Sequence, residues 1–183
     1  MISPTSSSRS FARAAALASA LLLLVGCAPD PSPSPTPTPA FASEEEAFAA
    51  AEATYRAYNE ALNQVDFADT DTFEDVYAQL SGSAAESTRE AFSQFHADHL
   101  RSIGTTRFDS FRPLSADLAT GKVDANVCSD VSDVEVLDAS GASVVSEDRP
   151  SRQPLDVTFA TRSDAASITI SKLEAAEAFT CGH

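Results

Sequence analysis

The chain has no tryptophan, one methionine, three cysteines and, in 183 residues, lysine only at Lys122 and Lys172. Each scarcity excludes a class of function. Twelve Lys and Arg against 27 Asp and Glu give a formal charge of −15, so the clustered basic surface that displaces counterions from a phosphate backbone is missing and nucleic acid is excluded as a partner. Three cysteines are too few for a small disulfide-dense scaffold. Gly-x-Ser-x-Gly, P-loop, Gly-x-Gly-x-x-Gly and His-Glu-x-x-His spacings are all lacking, which removes the usual hydrolase, nucleotide and zinc-protease signatures. The longest apolar run, residues 14–25, is shorter than the roughly 20 residues a permanent membrane span needs. What is present, 43% apolar residues with 11 Phe, suffices for the core of one domain.

The short apolar run is informative by its position. It follows Arg9 and Arg13 in an acid-free segment and ends Leu24-Val25-Gly26-Cys27, the layout of an export signal. Leu24-Val25-Gly26-Cys27 resembles the lipobox of bacterial lipoproteins, in which the cysteine receives a diacylglyceryl thioether and becomes the first residue of the mature protein. The resemblance implies a signal peptide over residues 1–26, lipid attachment (diacylglyceryl, palmitate-type chains) at Cys27, and location on the outer face of the cell membrane. Two acyl chains anchor a protein stably where one does not. Residues 28–40 alternate proline with small residues and hold six of the ten prolines, a polyproline II spacer reaching roughly 40 Å at about 3.1 Å per residue. Loss of Arg9 and Arg13 would bring the formal charge to −17, which disfavours anionic surfaces further.

Residues 41–183 read as a single domain. Ser43-Glu44-Glu45-Glu46 forms a capping box, and Phe48, Ala51, Tyr55, Tyr58, Leu62 and Val65 follow at spacings of three and four, predicting a helix over 44–64. Asp71–Glu74 repeats the cap pattern and predicts a short second helix ending at Gly82. A third box at Ser83–Glu86 opens a helix that turns Phe92, Phe95, His96, Leu100 and Ile103 inward and stops at Gly104. Beyond it the period becomes two, at Phe108 with Ser110, Val123-Ala125-Val127, Val134 with Val136, Leu155-Val157-Phe159 and Ile168 with Ile170. Such alternation predicts antiparallel strands with one wet face, joined by turns at 138–141 and 162–166. The fold class is therefore α+β, three helices packed on a curved antiparallel sheet.

One long helix, two shorter helices and a meander of strands resembles the nuclear transport factor 2-like fold, with a cystatin-like arrangement as competitor. The lipobox, proline linker and Thr54-Tyr55-Arg56-Ala57-Tyr58 helix are similar to small actinobacterial lipoproteins. Ketosteroid isomerase and polyketide cyclase enzymes share that fold and work in the cone between sheet and helices. The resemblance therefore places Tyr55, Tyr58, Tyr77 and His96 as candidate pocket-lining residues, although aromatic residues at helical spacing are more often core.

With Cys27 lipidated, Cys128 and Cys181 remain as an even pair in an oxidising compartment and are predicted to form a disulfide. A Cys-His nucleophile is disfavoured because Ser129-Asp130 gives Cys128 no electropositive setting. His96-Ala97-Asp98-His99 offers two imidazoles, short of the three or four ligands zinc takes, and the acids Asp66, Asp69, Asp71, Glu74 and Asp75 lack the glycine-centred calcium loop. Helix capping and a solvated face account for them better, so no metal and no cofactor is expected. The sequence thus predicts a membrane-anchored extracytoplasmic lipoprotein, non-catalytic, whose domain binds a small apolar ligand or an envelope protein. A small isomerase, hydratase or cyclase is the alternative, and a homodimer is compatible with either.

Overall fold

A computed structural model describes residues 39–162 and 167–182. The predicted export signal and lipid-attachment Cys27, nearly all of the predicted proline spacer, residues 163–166 of the predicted 162–166 turn, and His183 lie outside the described residues. Helices precede strands, as the change of period predicts. The helices are α1 (Glu44–Leu62), a 3-10 turn at Thr70–Phe73 continuing into α2 (Glu74–Ala78), and α3 (Gly82–Ala97). The strands are β1 (Arg101–Ile103), β2 (Arg107–Asp117), β3 (Lys122–Asp130), β4 (Glu135–Leu137), β5 (Arg152–Thr161) and β6 (Ile168–Ala175). Every described pairing between these strands is antiparallel, giving a four-stranded meander β2-β3-β5-β6 and a separate β1-β4 pair.

Local chemistry explains the first helix. Ser43 sits in extended backbone and its hydroxyl accepts from Glu46 N at 3.2 Å, while the Glu46 carboxylate accepts from Ala42 N at 2.8 Å, so two otherwise orphaned donors are satisfied. Ala47, Ala51, Tyr55 and Tyr58 form the buried stripe, with Phe48, Leu62 and Val65 packed at its margins. The stripe lies on the inner sheet face, where Val123, Ala125 and Val127 of β3 alternate with the more exposed Asp124 and Asn126 and continue into Val157, Phe159 and Ile170 of the neighbouring strands. Bulges between Phe108 and Ser110, Pro113 and Ser115, and Thr158 and Phe159 bend the sheet around the helices. Pro113 is tolerated because β2 is an edge strand.

The second and third helices differ from the sequence reading. Asp69, not Asp71, caps the 3-10 turn by accepting from Asp71 N at 3.1 Å, and α2 ends at Ala78 instead of running to Gly82. The box at Ser83–Glu86 does not form. Ser81 is the residue before α3, and its position is set by the sheet: Ser81 N donates to Ile170 O at 2.8 Å and Ile170 N donates to Gln79 O at 2.9 Å, so residues 79–81 cover the free edge of β6. Gly82 is required at this crossing, because its φ is +50° and a Cβ would stand 2.9 Å from Ser171 O.

Helix α3 stops at Ala97, seven residues before Gly104. Leu100 N donates to Phe95 O at 2.9 Å across His99, which takes the left-handed conformation at φ 54° that a glycine more often holds. Ile103 is consequently not on the helix but in β1, 44% exposed, and His96 faces the surface and not the core.

The predicted Cys128–Cys181 disulfide is present, with Cα atoms 5.6 Å apart. Cys128 is 1% exposed although its place in the β3 alternation is outward, because the carboxyl-terminal segment lies over it. That segment is held further by Ala176 N donating to Pro154 O at 2.9 Å, by the Arg112 guanidinium 5.6 Å from the Phe179 ring, and by Arg152 donating to Gly182 O. No helix among the described residues is long and apolar enough to cross a membrane.

Candidate functional site

The four candidate pocket residues do not converge. Tyr55 and Tyr58 are core residues, 2% and 8% exposed, with their rings 5.8 Å apart and the Tyr55 ring edge-on to Phe108 at 5.0 Å. Burial pushes the Tyr55 hydroxyl well above its ordinary value, Tyr58 adds to this and a hydrogen bond with Ser129 opposes it. Burial alone pushes Tyr58 up to about 12. Both are therefore neutral hydroxyls inside a filled cone. The buried polar residues among those described are Asn59, Ser129 and Thr169, none of which carries a carboxylate.

Tyr77 packs its ring against Phe92 at 5.9 Å and Phe73 at 6.2 Å on the margin of the core, and His96 lies on the surface away from it. Tyr77 borders a surface cleft of about 880 Å³ at the start of α3, with the Arg89 guanidinium 4.7 Å from its ring and Glu74 and Glu86 alongside. His96 borders a second cleft of about 780 Å³ with His99, Arg101, Asp66 and the 138–141 turn. No group of three or more His, Cys, Asp or Glu among the described residues is arranged to hold a metal ion. Asp66 and Asp69 accept from Ala68 N and Asp71 N, so these two acids of the 66–75 segment act as turn and cap groups.

The residues that do converge were not apparent in the sequence. At the carboxyl end of α1 a cavity of about 190 Å³ is walled by Leu62, Val65, Phe67, Phe92, Phe95 and Val134, with Asn63, Ser102, Gly104 and Thr106 completing its lining. Phe67 is its keystone, meeting Phe92 at 5.5 Å and Phe95 at 5.0 Å, both edge-on. Asn63 fixes the rim: its amide donates to Thr106 O at 2.8 Å and its carbonyl accepts from Thr106 N at 2.8 Å, while Asn59 donates to the same Thr106 O at 3.0 Å. These side chains act as an extra strand end, tying the segment before β2 to the helix. No lining side chain is ionisable, so the cavity can hold an apolar group and offer it hydroxyl and amide edges, but has no acid or base of its own. No protein-family model matches the chain, and no curated protein shows significant similarity to it.

Proposed function

We propose that this protein is an extracytoplasmic lipoprotein, tethered through a diacylated Cys27 and a proline spacer, whose nuclear transport factor 2-like domain is a non-catalytic binding module for a small apolar group. The observation that carries the ligand reading is the aromatic cavity at the end of α1, lined without any ionisable side chain. A void of about 150 Å³ with apolar walls takes up benzene, so 190 Å³ suits a single ring or a short branched alkyl group. The isomerase, hydratase or cyclase alternative needs a carboxyl tuned by an apolar site, and the buried polar groups of the cone are an amide and hydroxyls.

The Cys128–Cys181 bond supports an oxidising location. The order of helices followed by an antiparallel meander supports the fold assignment. Ala40 and the cavity are at opposite ends of α1. Ala40 N donates to Leu118 O at 2.8 Å beside the β2-β3 turn, and the cavity lies beyond the other end of α1, about 28 Å away at 1.5 Å per residue over 19 residues.

Two measurements test this. Replacing Cys27 with Ala should release the protein from the membrane fraction and leave it unacylated; retention with acylation would refute the anchor. Titrating the folded domain with benzene or toluene should shift the ring signals of Phe67, Phe92 and Phe95 saturably, and a Val65→Phe variant that fills the cavity should abolish the shifts. Saturable binding unaffected by Val65→Phe, or none in the parent, would refute the cavity as the site.

A further inference from the structure

The cleft on the other side of Phe67 has a different character, and the two share no lining residue but Phe67. Its basic groups are His96 on α3, His99 at the helix end and Arg101 on β1, and its acidic groups are Asp66 after α1 and Asp138 after β4. The acids are engaged with their own turns. Asp138 Oδ1 accepts from Ser140 N at 2.8 Å, Ser140 Oγ at 2.6 Å and Ala142 N at 3.0 Å, and Asp66 Oδ1 accepts from Ala68 N at 2.9 Å. The bonds from the Ser140 side chain and the Ala142 backbone hold the Asp138 carboxyl below the usual carboxylate range, so it stays ionised. Asp98, the residue that ends α3, accepts from Gln94 at 2.8 Å and is not part of the lining.

The basic groups by contrast make no ion pair among the described residues. Arg56, Arg107, Lys122, Arg152 and Lys172 each pair with a carboxylate, whereas the Arg101 guanidinium has no ion-pair or ring partner among the described residues. His96 Nδ1 lies 2.6 Å from Phe67 O; a carbonyl can only accept, so Nδ1 carries the hydrogen and Nε2 is the ring nitrogen without that bond. His99 occupies a left-handed position where glycine would be less strained, and its imidazole lines the cleft.

We infer that this cleft is a pH-gated site for a small organic carboxylate with an apolar body. With both imidazoles neutral, Arg101 against Asp66 and Asp138 leaves a formal charge of −1; with both protonated it is +1, and the Nε2 of His96 becomes a donor. The planar fork of Arg101 suits a carboxylate, and Phe67, Leu100, Ala68 and Ala139 give an apolar body walls to lie against. Binding takes up protons, so affinity rises as pH falls. This inference does not rest on the aromatic cavity as a ligand site.

The test is calorimetric titration of the folded domain with benzoate at about pH 5.5 and about pH 8, a range over which histidine changes charge. Affinity should be at least about tenfold higher at the lower pH, with proton uptake seen as a buffer-dependent heat. His99→Gly should raise the melting temperature by relieving the left-handed strain while weakening benzoate about tenfold at the lower pH. Arg101→Gln should weaken it similarly without moving the melting temperature. No saturable heat at the lower pH, equal affinity at both, or unchanged affinity in both variants would overturn the inference. Benzoate binding that is pH-independent and abolished by Val65→Phe would overturn it while leaving the aromatic cavity standing.

Discussion

Removing the cross-link between Cys128 and Cys181 through the Cys128→Ala/Cys181→Ala pair should destabilise the domain by about 4 kcal/mol. The sequence separation is 53, and closing a loop of that length withdraws about 14 cal/mol/K from the unfolded chain in the entropy model, or about 4 kcal/mol at room temperature. For a domain of this size the unfolding entropy is about 0.3 kcal/mol/K, so the melting temperature should fall by roughly 10–15 °C. The urea m-value should rise, because the uncrosslinked chain exposes more surface on unfolding. A local effect accompanies the global one. Without the bond the carboxyl-terminal segment keeps the Ala176–Pro154 hydrogen bond, the Arg112–Phe179 contact and the Arg152–Gly182 contact, each worth about 1 kcal/mol or less. Amide exchange over residues 176–182 should therefore accelerate well beyond that of β3. Thermal and urea unfolding followed by circular dichroism, with hydrogen exchange on the same variant, measures all of these. A melting temperature within about 3 °C of the parent and unchanged exchange at the tail would refute both the loop-entropy argument and the role assigned to the segment.

Gly104→Ala should cost about 3 kcal/mol or more in urea unfolding, since φ is +90° and the new Cβ would stand 1.8 Å from Asp133 O, whereas Gly141→Ala, with φ +84° and open space around it, should cost only about 1 kcal/mol. Equal costs would show that the clash relaxes freely. At high pH the raised Tyr55 and Tyr58 hydroxyls make the folded state hold protons that the unfolded state releases near pH 10, so stability is intact below about pH 10 and falls as pH climbs through their folded values. Ultraviolet titration should show tyrosinate forming at Tyr55 and Tyr58 only together with loss of the folded signal; reversible ionisation of all three tyrosines in the folded protein would refute their burial.

Much of the architecture was legible because it depends on short-range interactions. Ser43 and Glu46 cap α1 within one turn, and the period-two runs at Val123–Val127 and Leu155–Phe159 announce strands from their own residues. The errors fall where distant chain segments compete with local preference. Ser83–Glu86 has the letters of a capping box, yet α3 begins at Gly82 because Ser81 bonds to β6 some ninety residues later. Leu100 and Ile103 continue the helical spacing, but β1 exists only by pairing with Glu135–Leu137, and this pairing draws the chain out of the helix at His99. Tyr77 and His96 share a helical rhythm with the core aromatics, yet packing leaves Tyr77 half-buried against Phe73 and Phe92 at the core margin and His96 exposed.

The amino-acid sequence by itself determined the order of helices before strands, the alternating phases of Val123–Val127 and Leu155–Phe159, the disulfide and the expectation of a lipid tether. These follow from hydrogen bonds and side-chain periods spanning a few residues, or from counting cysteines. Only the tertiary structure decided where α3 starts and stops, that the cone is filled, and that Leu62, Phe67, Phe92, Phe95 and Val134 enclose a cavity. Those outcomes depend on which volumes remain once helix and sheet have packed, a property of contacts between residues far apart in the chain that no local pattern carries.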